Sequence, residues 1–228
     1  MNTKLVVFDM AGTTVRDDDA VNRCLCEALL AGGVEVSRDE INAVMGLPKP
    51  VAITRLLADK LPTGPALSGA VDRMHDDFVA RMIGFYQADP RVVAMPGAME
   101  CLISLKKLGV KIALDTGFSR TIVDTILERL GWNRPGMLDA TVASDEVSRG
   151  RPHPDLIFEA MRRTAVREAI HVAKVGDTPS DLLEGTAAGC GLVIGVTNGT
   201  HTRKQLAAHP HTHLMDSLDE LPSLITHS

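Results

Sequence analysis

Residues 4–14 read KLVVFDMAGTT, an apolar run of strand length followed by Asp9 and a turn rich in Gly and Thr. The hydrophobicity is continuous rather than alternating, which is typical of a strand buried on both faces, as in a parallel sheet covered by helices. Four similar runs rich in Val, Ile and Leu follow downstream, at residues 110–116, 140–144, 171–176 and 191–197. The pattern predicts an α/β fold with a doubly wound parallel sheet.

Helical segments with recognisable ends lie between the later strands. Ser119 precedes a helix predicted over Thr121 to Leu130, and Gly131 follows it. Residues 178–181, Thr-Pro-Ser-Asp, open another helix that stops near Gly189: the threonine can cap it, the proline fits its first turn, and the aspartate completes a capping box.

One long segment breaks the strand and helix alternation. Residues 16–91 have a helical pattern without a convincing strand, and a capping box at residues 37–40, Ser-Arg-Asp-Glu, starts one of the helices. The segment is too long for a single connection between strands. We therefore predict a small helical domain inserted after the first strand.

Composition excludes several classes of function. The 228 residues carry a formal net charge of −5, so no broad basic field is expected and we predict no nucleic-acid partner. No stretch is apolar for about 18 residues and no export signal is visible, so we expect a cytoplasmic protein without a membrane partner. The four cysteines form no CxxC pair and are predicted to be ordinary thiols. The His-rich residues 209–213 are interpreted as an exposed loop after the sheet is complete.

The residues directly after each predicted strand are the main candidates for a functional site, because ligands of open parallel sheets bind beyond the carboxyl ends of the strands. Asp9 follows the first strand, Asp115-Thr116-Gly117 ends the second, and Asp177 follows the fourth, with Asp181 four residues on. Carboxylates in this arrangement suit a hard cation such as Mg²⁺. Arg151, a threonine hydroxyl and backbone N–H groups near Gly12 and Gly117 suit a phosphoryl group.

These residues resemble the four ordered motifs of the haloacid dehalogenase superfamily, which in this chain are Asp9-Met10-Ala11-Gly12-Thr13, Thr116, Arg151 and Gly176-Asp177-Thr178-Pro179-Ser180-Asp181. The resemblance implies a Rossmann-like core (residues 1–15 and 92–228) with a helical cap (residues 16–91). It also implies that Asp9 attacks phosphorus to form an aspartyl-phosphate, and that Thr116 and Arg151 hold the phosphoryl oxygens. Asp177 and Asp181 would organise Mg²⁺ beside Asp9 and Ala11.

The residue at position 11 favours one branch of the superfamily. Most phosphatases of the superfamily carry a second aspartate there, as acid and base for the leaving alcohol, whereas this chain has Ala11. The phosphonoacetaldehyde hydrolase branch also has alanine, and further similar stretches are residues 9–15, 45–49, 116–120, 150–154 and 175–181. By this resemblance Lys49 forms a Schiff base with the substrate aldehyde. The substrate-binding residues would be Ala11, Gly12, Thr13, Met45, Gly117 and Phe118.

Cleavage of a phosphorus–carbon bond explains why a lysine would be needed at position 49. A carbon leaving group would depart from phosphorus as a carbanion, whereas an iminium on the adjacent carbon accepts the electrons as an enamine. The lysine must be neutral to add to a carbonyl, so its pKa is expected to be lowered. We expect Mg²⁺-dependent cleavage of the phosphorus–carbon bond of a small phosphonate.

Departures from the branch leave the substrate open. Where this chain has Met10, Ala52 and Phe118, the branch has tryptophan, histidine and tyrosine, respectively. The branch also has a cysteine near the position of Asp19. Two alternatives therefore stand: a phosphatase acting on a small phosphomonoester, with Lys49 as a binding residue, and a non-catalytic sensor of a phosphate ligand. The resemblance also allows a homodimer.

Overall fold

A six-stranded parallel sheet forms the centre of the computed structural model, which describes residues 2–227. Its strand order is β3-β2-β1-β4-β5-β6. The strands are β1 (Leu5–Asp9), β2 (Lys111–Asp115), β3 (Ala140–Val142), β4 (Val172–Gly176), β5 (Leu192–Val196) and β6 (His213–Met215). The predicted α/β class and doubly wound parallel sheet are confirmed. Met1 and Ser228, which the sequence assigns to the core, lie outside the described residues.

All five predicted strands are present, but the prediction that the sheet is complete before the His-rich stretch is wrong. His213 begins β6, which pairs with β5 at Ile194. The Thr212 side chain fastens this edge, because its hydroxyl accepts the Val193 N–H at 2.9 Å and donates to the Val193 carbonyl at 2.9 Å. The strand begins in the polar stretch His-Pro-His-Thr-His at residues 209–213, so the sequence shows no apolar run there.

The helices end where the sequence places their caps. Glu40 and Ser37 form the predicted capping box of α2 (Arg38–Ala43), with the Glu40 carboxylate accepting the Ser37 N–H at 2.7 Å. Gly131 and Gly189 end α6 (Arg120–Leu130) and α8 (Pro179–Ala188) with φ of 66° and 73°, a left-handed conformation that glycine adopts without strain. The α-helices are α1 (Ala20–Ala31), α2 (Arg38–Ala43), α3 (Lys49–Leu57), α4 (Pro65–Ala88), α5 (Ala98–Lys107), α6 (Arg120–Leu130), α7 (Asp155–Thr164), α8 (Pro179–Ala188), α9 (Arg203–Leu206) and α10 (Leu221–His227).

The helical segment (residues 16–91) contains α1 to α4 and, over its described length, no strand. It leaves and rejoins the rest of the chain at one place, where the Arg16 N–H donates to the Val93 carbonyl at 3.0 Å and the Met95 N–H donates to the Thr14 carbonyl at 2.9 Å. One continuous apolar cluster joins it to the sheet, including Ile53 on one side and Val6 on the other. Its status as a separate cap domain stays a prediction that this geometry supports.

Two other predictions from the sequence concern the cysteines and membrane-spanning segments. All four cysteines are free thiols; Cys24 and Cys101 are buried, and Cys26 and Cys190 are partly buried. Within residues 2–227, every helix is too short or too polar to cross a membrane.

Candidate active site

Parallel pairing brings two aspartates together at the carboxyl edge of the sheet. Asp9 and Asp115 end the neighbouring strands β1 and β2 and lie opposite each other in register. The side chain of Arg151 is completely buried between them, with Nη1 2.6 Å from Asp9 Oδ1 and 2.9 Å from Asp181 Oδ1, and Nη2 paired to Asp115. The predicted nucleophile, the predicted phosphoryl-binding arginine and one predicted metal ligand therefore lie in direct contact.

A second buried cation, which sequence reasoning missed, completes this cluster. Lys174 lies in the middle of β4, and its ammonium contacts Asp115, Asp181 at 3.2 Å and Glu184 at 3.1 Å. Glu184 also accepts from Arg151 Nε at 3.0 Å. The signal for Lys174 was its position as a charged residue within an apolar run, since a charge buried on both faces of a sheet needs partners.

The charges of the cluster do not balance within the protein. Four carboxylates, those of Asp9, Asp115, Asp181 and Glu184, face two cations, which leaves an excess of two negative charges when all are ionised. Burial raises the pKa of Asp9 to about 7, with Asp181 and Asp177 adding to the shift, although Arg151 opposes it. Burial and the neighbouring Asp115 raise the pKa of Glu184 to about 8.

This excess fits a divalent cation. One oxygen each of Asp9, Asp115 and Asp181 lie within 4.8 Å of one another, and Asp115 Oδ2 is buried without a hydrogen-bond donor. Carboxylate oxygens are the ligands that Mg²⁺ prefers, and a charge of +2 would neutralise the excess. Asp115 is an addition to the ligand set expected from the sequence.

Asp177, the other expected metal ligand, lies beside this group rather than in it. Its carboxylate accepts from the Thr13 hydroxyl at 3.2 Å and from the Thr200 N–H at 2.6 Å. Burial raises its pKa to about 6, and the charge of Asp181 contributes. Ala11, expected beside the metal, has no side-chain donor and could contribute only backbone atoms.

The start of α8 fixes the orientation of Asp181. Its Oδ2 accepts the Thr178 N–H at 3.1 Å and the Thr178 hydroxyl at 2.6 Å, as the predicted capping box requires. The other oxygen faces Arg151. Asp181 therefore both caps the helix and faces the cluster.

A loop of the helical segment, residues 45–49, packs directly over this edge of the sheet. The Ser180 hydroxyl donates to the Met45 carbonyl at 3.2 Å. Gly117 touches the same loop so closely that a Cβ there would lie 2.6 Å from the Leu47 carbonyl oxygen. A residue without a side chain at position 117 is therefore what lets the loop approach.

That approach buries Lys49, the first residue of α3. Only 4% of its surface is exposed, and its ammonium lies 5.3 Å from the Phe118 ring centroid and 5.7 Å from that of Phe78. Burial lowers the pKa of Lys49 to about 8, although the charges of Asp9 and Asp17 oppose the shift. The expected lowering of this pKa is confirmed, and its cause is desolvation.

Residues of the sheet and of the helical segment line one small cavity of about 20 Å³, which has room for about one water molecule. Of the residues selected from the sequence, those that line it are Asp9, Ala11, Met45, Lys49, Thr116, Gly117, Phe118 and Arg151. Gly12, Thr13, Asp177 and Asp181 lie outside that lining. The Thr116 hydroxyl accepts the Phe118 N–H at 3.2 Å, which fixes the turn after β2.

Two polar residues of the cavity, Asp17 and Thr200, were missed by sequence reasoning. Asp17 begins a run of three aspartates, which reads as a solvated surface. Thr200 lies in the Asn198-Gly199-Thr200 stretch after β5, which reads only as a turn. Neither position carries a local signal, because the fold alone brings them to the site.

Comparisons with known proteins agree with this geometry. The phosphonoacetaldehyde hydrolase of Bacillus cereus (strain B4264) is 27% identical over 96% of this chain and 86% of its own length. The probable phosphatase IndB of Dickeya dadantii (strain 3937) is 31% identical over 95% of this chain and 91% of its own length. The crystal structure of a phosphonoacetaldehyde hydrolase-like protein from Oleispira antarctica superposes with a TM-score of 0.85 at 20% identity, covering 100% of this chain and 92% of that one.

A family model matches most of the chain as well, over residues 3–189. That match extends from β1 through the helical segment to the end of α8, so it covers each motif selected from the sequence. The chain belongs to the haloacid dehalogenase-like hydrolase family.

Proposed function

We propose that this hydrolase cleaves the phosphorus–carbon bond of a small phosphonate, phosphonoacetaldehyde or an analogue, through an aspartyl-phosphate at Asp9 and a Schiff base at Lys49. The observation that carries the proposal is the burial of Lys49 in the same cavity as Asp9. Its pKa of about 8 leaves roughly a tenth of the lysine neutral at pH 7, against far less than a hundredth for an ordinary lysine.

The neutral amine of Lys49 adds to the substrate carbonyl and, with loss of water, forms an iminium. Asp9 then attacks phosphorus, the phosphorus–carbon bond breaks, and its electron pair moves into the iminium to give an enamine. A proton on the enamine carbon and water at the imine release the aldehyde and restore Lys49. Water hydrolyses the aspartyl-phosphate to give phosphate. The lysine thus avoids a free carbanion, and no acid at position 11 is needed for an alcohol.

Arg151 and Thr116 are the residues proposed to hold the phosphoryl oxygens, and both line the cavity. The guanidinium also lies 2.6 Å from Asp9 Oδ1, which favours the ionised, nucleophilic form of that carboxylate. Mg²⁺ would be held by Asp9, Asp115 and Asp181 with Asp177 beside them, and when bound it would neutralise charge on the phosphoryl group. The excess negative charge of the cluster supports this choice.

Substrate access requires movement. A phosphonate is larger than the space of about 20 Å³ next to Asp9 and Lys49, so the 45–49 loop has to separate from Gly117 for the substrate to enter. Closure over the substrate would then exclude bulk water from the reacting atoms. The contact between the loop and the sheet is therefore the part of the site that has to open and close.

A panel of phosphonates and phosphomonoesters, with phosphate release as readout, tests the proposal. We expect phosphonoacetaldehyde to be turned over fastest, and borohydride added during turnover to leave a reduced adduct on Lys49 detectable by mass spectrometry. Lys49→Arg is the matched control, because it keeps the charge and cannot form the adduct. An active chain whose lysine stays unmodified would rule out the Schiff base.

A small phosphomonoester is the second candidate substrate. It is favoured by the 31% identity to the probable phosphatase IndB. In that case Lys49 would bind the substrate without a covalent bond. Faster hydrolysis of a sugar phosphate than of any phosphonate would support this alternative.

A further inference from the structure

The addition of Lys49 to a carbonyl requires a proton carrier in the same cavity. Among the described residues the charged members of its lining are Asp9, Asp17, Lys49 and Arg151. Asp9 is the proposed nucleophile and has to stay ionised beside Arg151, and surrounding carboxylates hold the pKa of Arg151 well above its usual value, so neither of these two is free to carry a proton to and from Lys49. Asp17 is the carboxyl group that remains.

The geometry of Asp17 suits proton exchange with both sides of the site. It lies just before α1 in the helical segment, and its Oδ1 accepts the Val21 N–H at 3.1 Å, which holds the side chain in place. The residue lines this small cavity and also an adjoining larger cleft of about 460 Å³, with which the cavity shares Asp17, Met45 and Thr200. The carboxyl group is therefore near enough to Lys49 for their charges to interact, and the residue is partly exposed to solvent.

The surroundings of Asp17 favour a carboxyl group that changes protonation near neutral pH. Burial raises its pKa to about 6, and the charges of Asp19 and Asp18 add to the shift, while the Val21 N–H and Lys49 oppose it. The titratable and charged groups that face it, or line the same two spaces, are Asp9, Arg16, Asp18, Asp19, Cys24 of α1, Arg38 of α2, Lys49 of α3, Tyr86 of α4 and Arg151.

We propose that Asp17 is the proton-transfer residue for Lys49, a role that rests on the proposed Schiff base. The Asp17 carboxylate takes one proton from the Lys49 ammonium, and the resulting amine forms a carbon–nitrogen bond with the aldehyde. The proton on nitrogen moves to the carbonyl oxygen to give a carbinolamine. Protonated Asp17 then gives its proton to the hydroxyl, the carbon–oxygen bond breaks, water leaves, and the nitrogen lone pair forms the iminium. Asp17 ends ionised, and overall the ammonium and the aldehyde become the iminium and one water.

The test is the rate at which phosphonoacetaldehyde forms an imine with Lys49 in the full chain from pH 5 to pH 9, with samples taken at timed intervals into alkaline borohydride, which reduces the imine, and the adduct measured by mass spectrometry. The variant is Asp17→Asn, which keeps the acceptor for the Val21 N–H and removes the proton carrier. The matched control is Asp59→Asn, because Asp59 is exposed, lies in the same helical segment and lines neither the cavity nor the cleft.

The unmodified chain should show a bell-shaped profile, falling below pH 6 as Asp17 binds a proton and above pH 8 as Lys49 loses one. In Asp17→Asn we expect a fall of about 100-fold at pH 7, typical of a lost acid and base group, with Asp59→Asn within twofold of the unmodified chain. The variant's profile should become a single limb that rises with pH through the pKa of Lys49. A structural role for Asp17 would instead lower the rate at every pH and leave the bell shape.

The outcomes separate the two proposals. No adduct on Lys49 in the unmodified chain would contradict the proposed Schiff base, and this role for Asp17 with it. An adduct that forms in Asp17→Asn at the unmodified rate, or with the same bell-shaped profile, would contradict the role of Asp17 alone. Recovery of both pH limbs in Asp17→Glu would support it, since that variant restores a carboxyl group.

Discussion

Lys49→Met should abolish activity with carbonyl phosphonates and make the protein more stable. The buried ammonium carries a pKa lowered from 10.5 to about 8, so at neutral pH the folded state holds a charge that it disfavours. At about 1.4 kcal/mol per pKa unit, this shift corresponds to up to about 3 kcal/mol of unfolding free energy. Methionine has a similar length and no charge, and it can pack against the rings of Phe78 and Phe118, whose centroids lie 5.7 Å and 5.3 Å from the ammonium in the unmodified chain.

The pH dependence separates this effect from ordinary packing. The unfolded chain binds a proton at Lys49 between pH 8 and 10.5 that the folded chain does not, so the unmodified protein gains stability as the pH rises through that window. Below pH 8 the cost of the charge is fully present. Urea unfolding of both proteins should therefore give a gap of up to about 3 kcal/mol at pH 7 that shrinks by pH 10.

Methionine at the exposed Lys204 is the control, and it should change the unfolding free energy by less than about 0.5 kcal/mol at either pH. A Lys49→Met protein less stable than the unmodified chain at pH 7, or an unchanged gap at pH 10, would refute the reasoning. The lysine would then carry no desolvation cost, and the lowered pKa on which its chemistry depends would be absent.

Three further predictions concern the contacts and charges around the same site. Gly117→Ala should push the 45–49 loop away, because its Cβ would lie 2.6 Å from the Leu47 carbonyl oxygen. We expect kcat to fall about 10- to 100-fold in steady-state assays, and an unchanged kcat would show that the loop contact is dispensable. Lys174→Met leaves Asp115 and Glu184 short of a partner, so urea unfolding should give a loss of about 3–5 kcal/mol, and a loss under about 1 kcal/mol would contradict the pairing. Chelation with EDTA should stop phosphate release and lower Tm, with Mg²⁺ restoring both; activity that survives exhaustive chelation would exclude a required divalent cation.

The sheet was predictable because its strands are buried on both faces. Continuous apolar runs identify β1 to β5, and parallel topology then requires Asp9 and the residues after β2 to lie at one edge. The short edge strand at His213 was missed because it follows the polar residues 209–212, whereas β3, also three residues long, lies in the run Ala-Thr-Val-Ala at residues 140–143. Helix ends were predictable from local chemistry alone, as Ser37 and Thr178 illustrate.

The burial and contacts of the site residues were harder to predict from the sequence than which residues form the site. The prolines on either side of Lys49 do not indicate burial; its lowered pKa was expected from the chemistry of the resemblance, and the packing of Phe78 and Phe118 shows the burial that causes it. Asp17 likewise reads as part of a charged surface, because its contact with the cavity depends on how the helical segment returns over the sheet. Long-range packing of this kind leaves no local trace. The catalytic roles, the separate cap domain, the cytoplasmic location and a homodimer stay predictions.

The central claim is that the carboxylate of Asp9 becomes phosphorylated during turnover. Rapid acid quenching with phosphonoacetaldehyde in Mg²⁺, followed by peptide mass spectrometry, measures this directly. We predict one added phosphoryl group on the peptide that contains Asp9, formed before phosphate appears in solution, and none in Asp9→Asn. Phosphate released at the full rate while that peptide stays unphosphorylated at every quench time would contradict the claim.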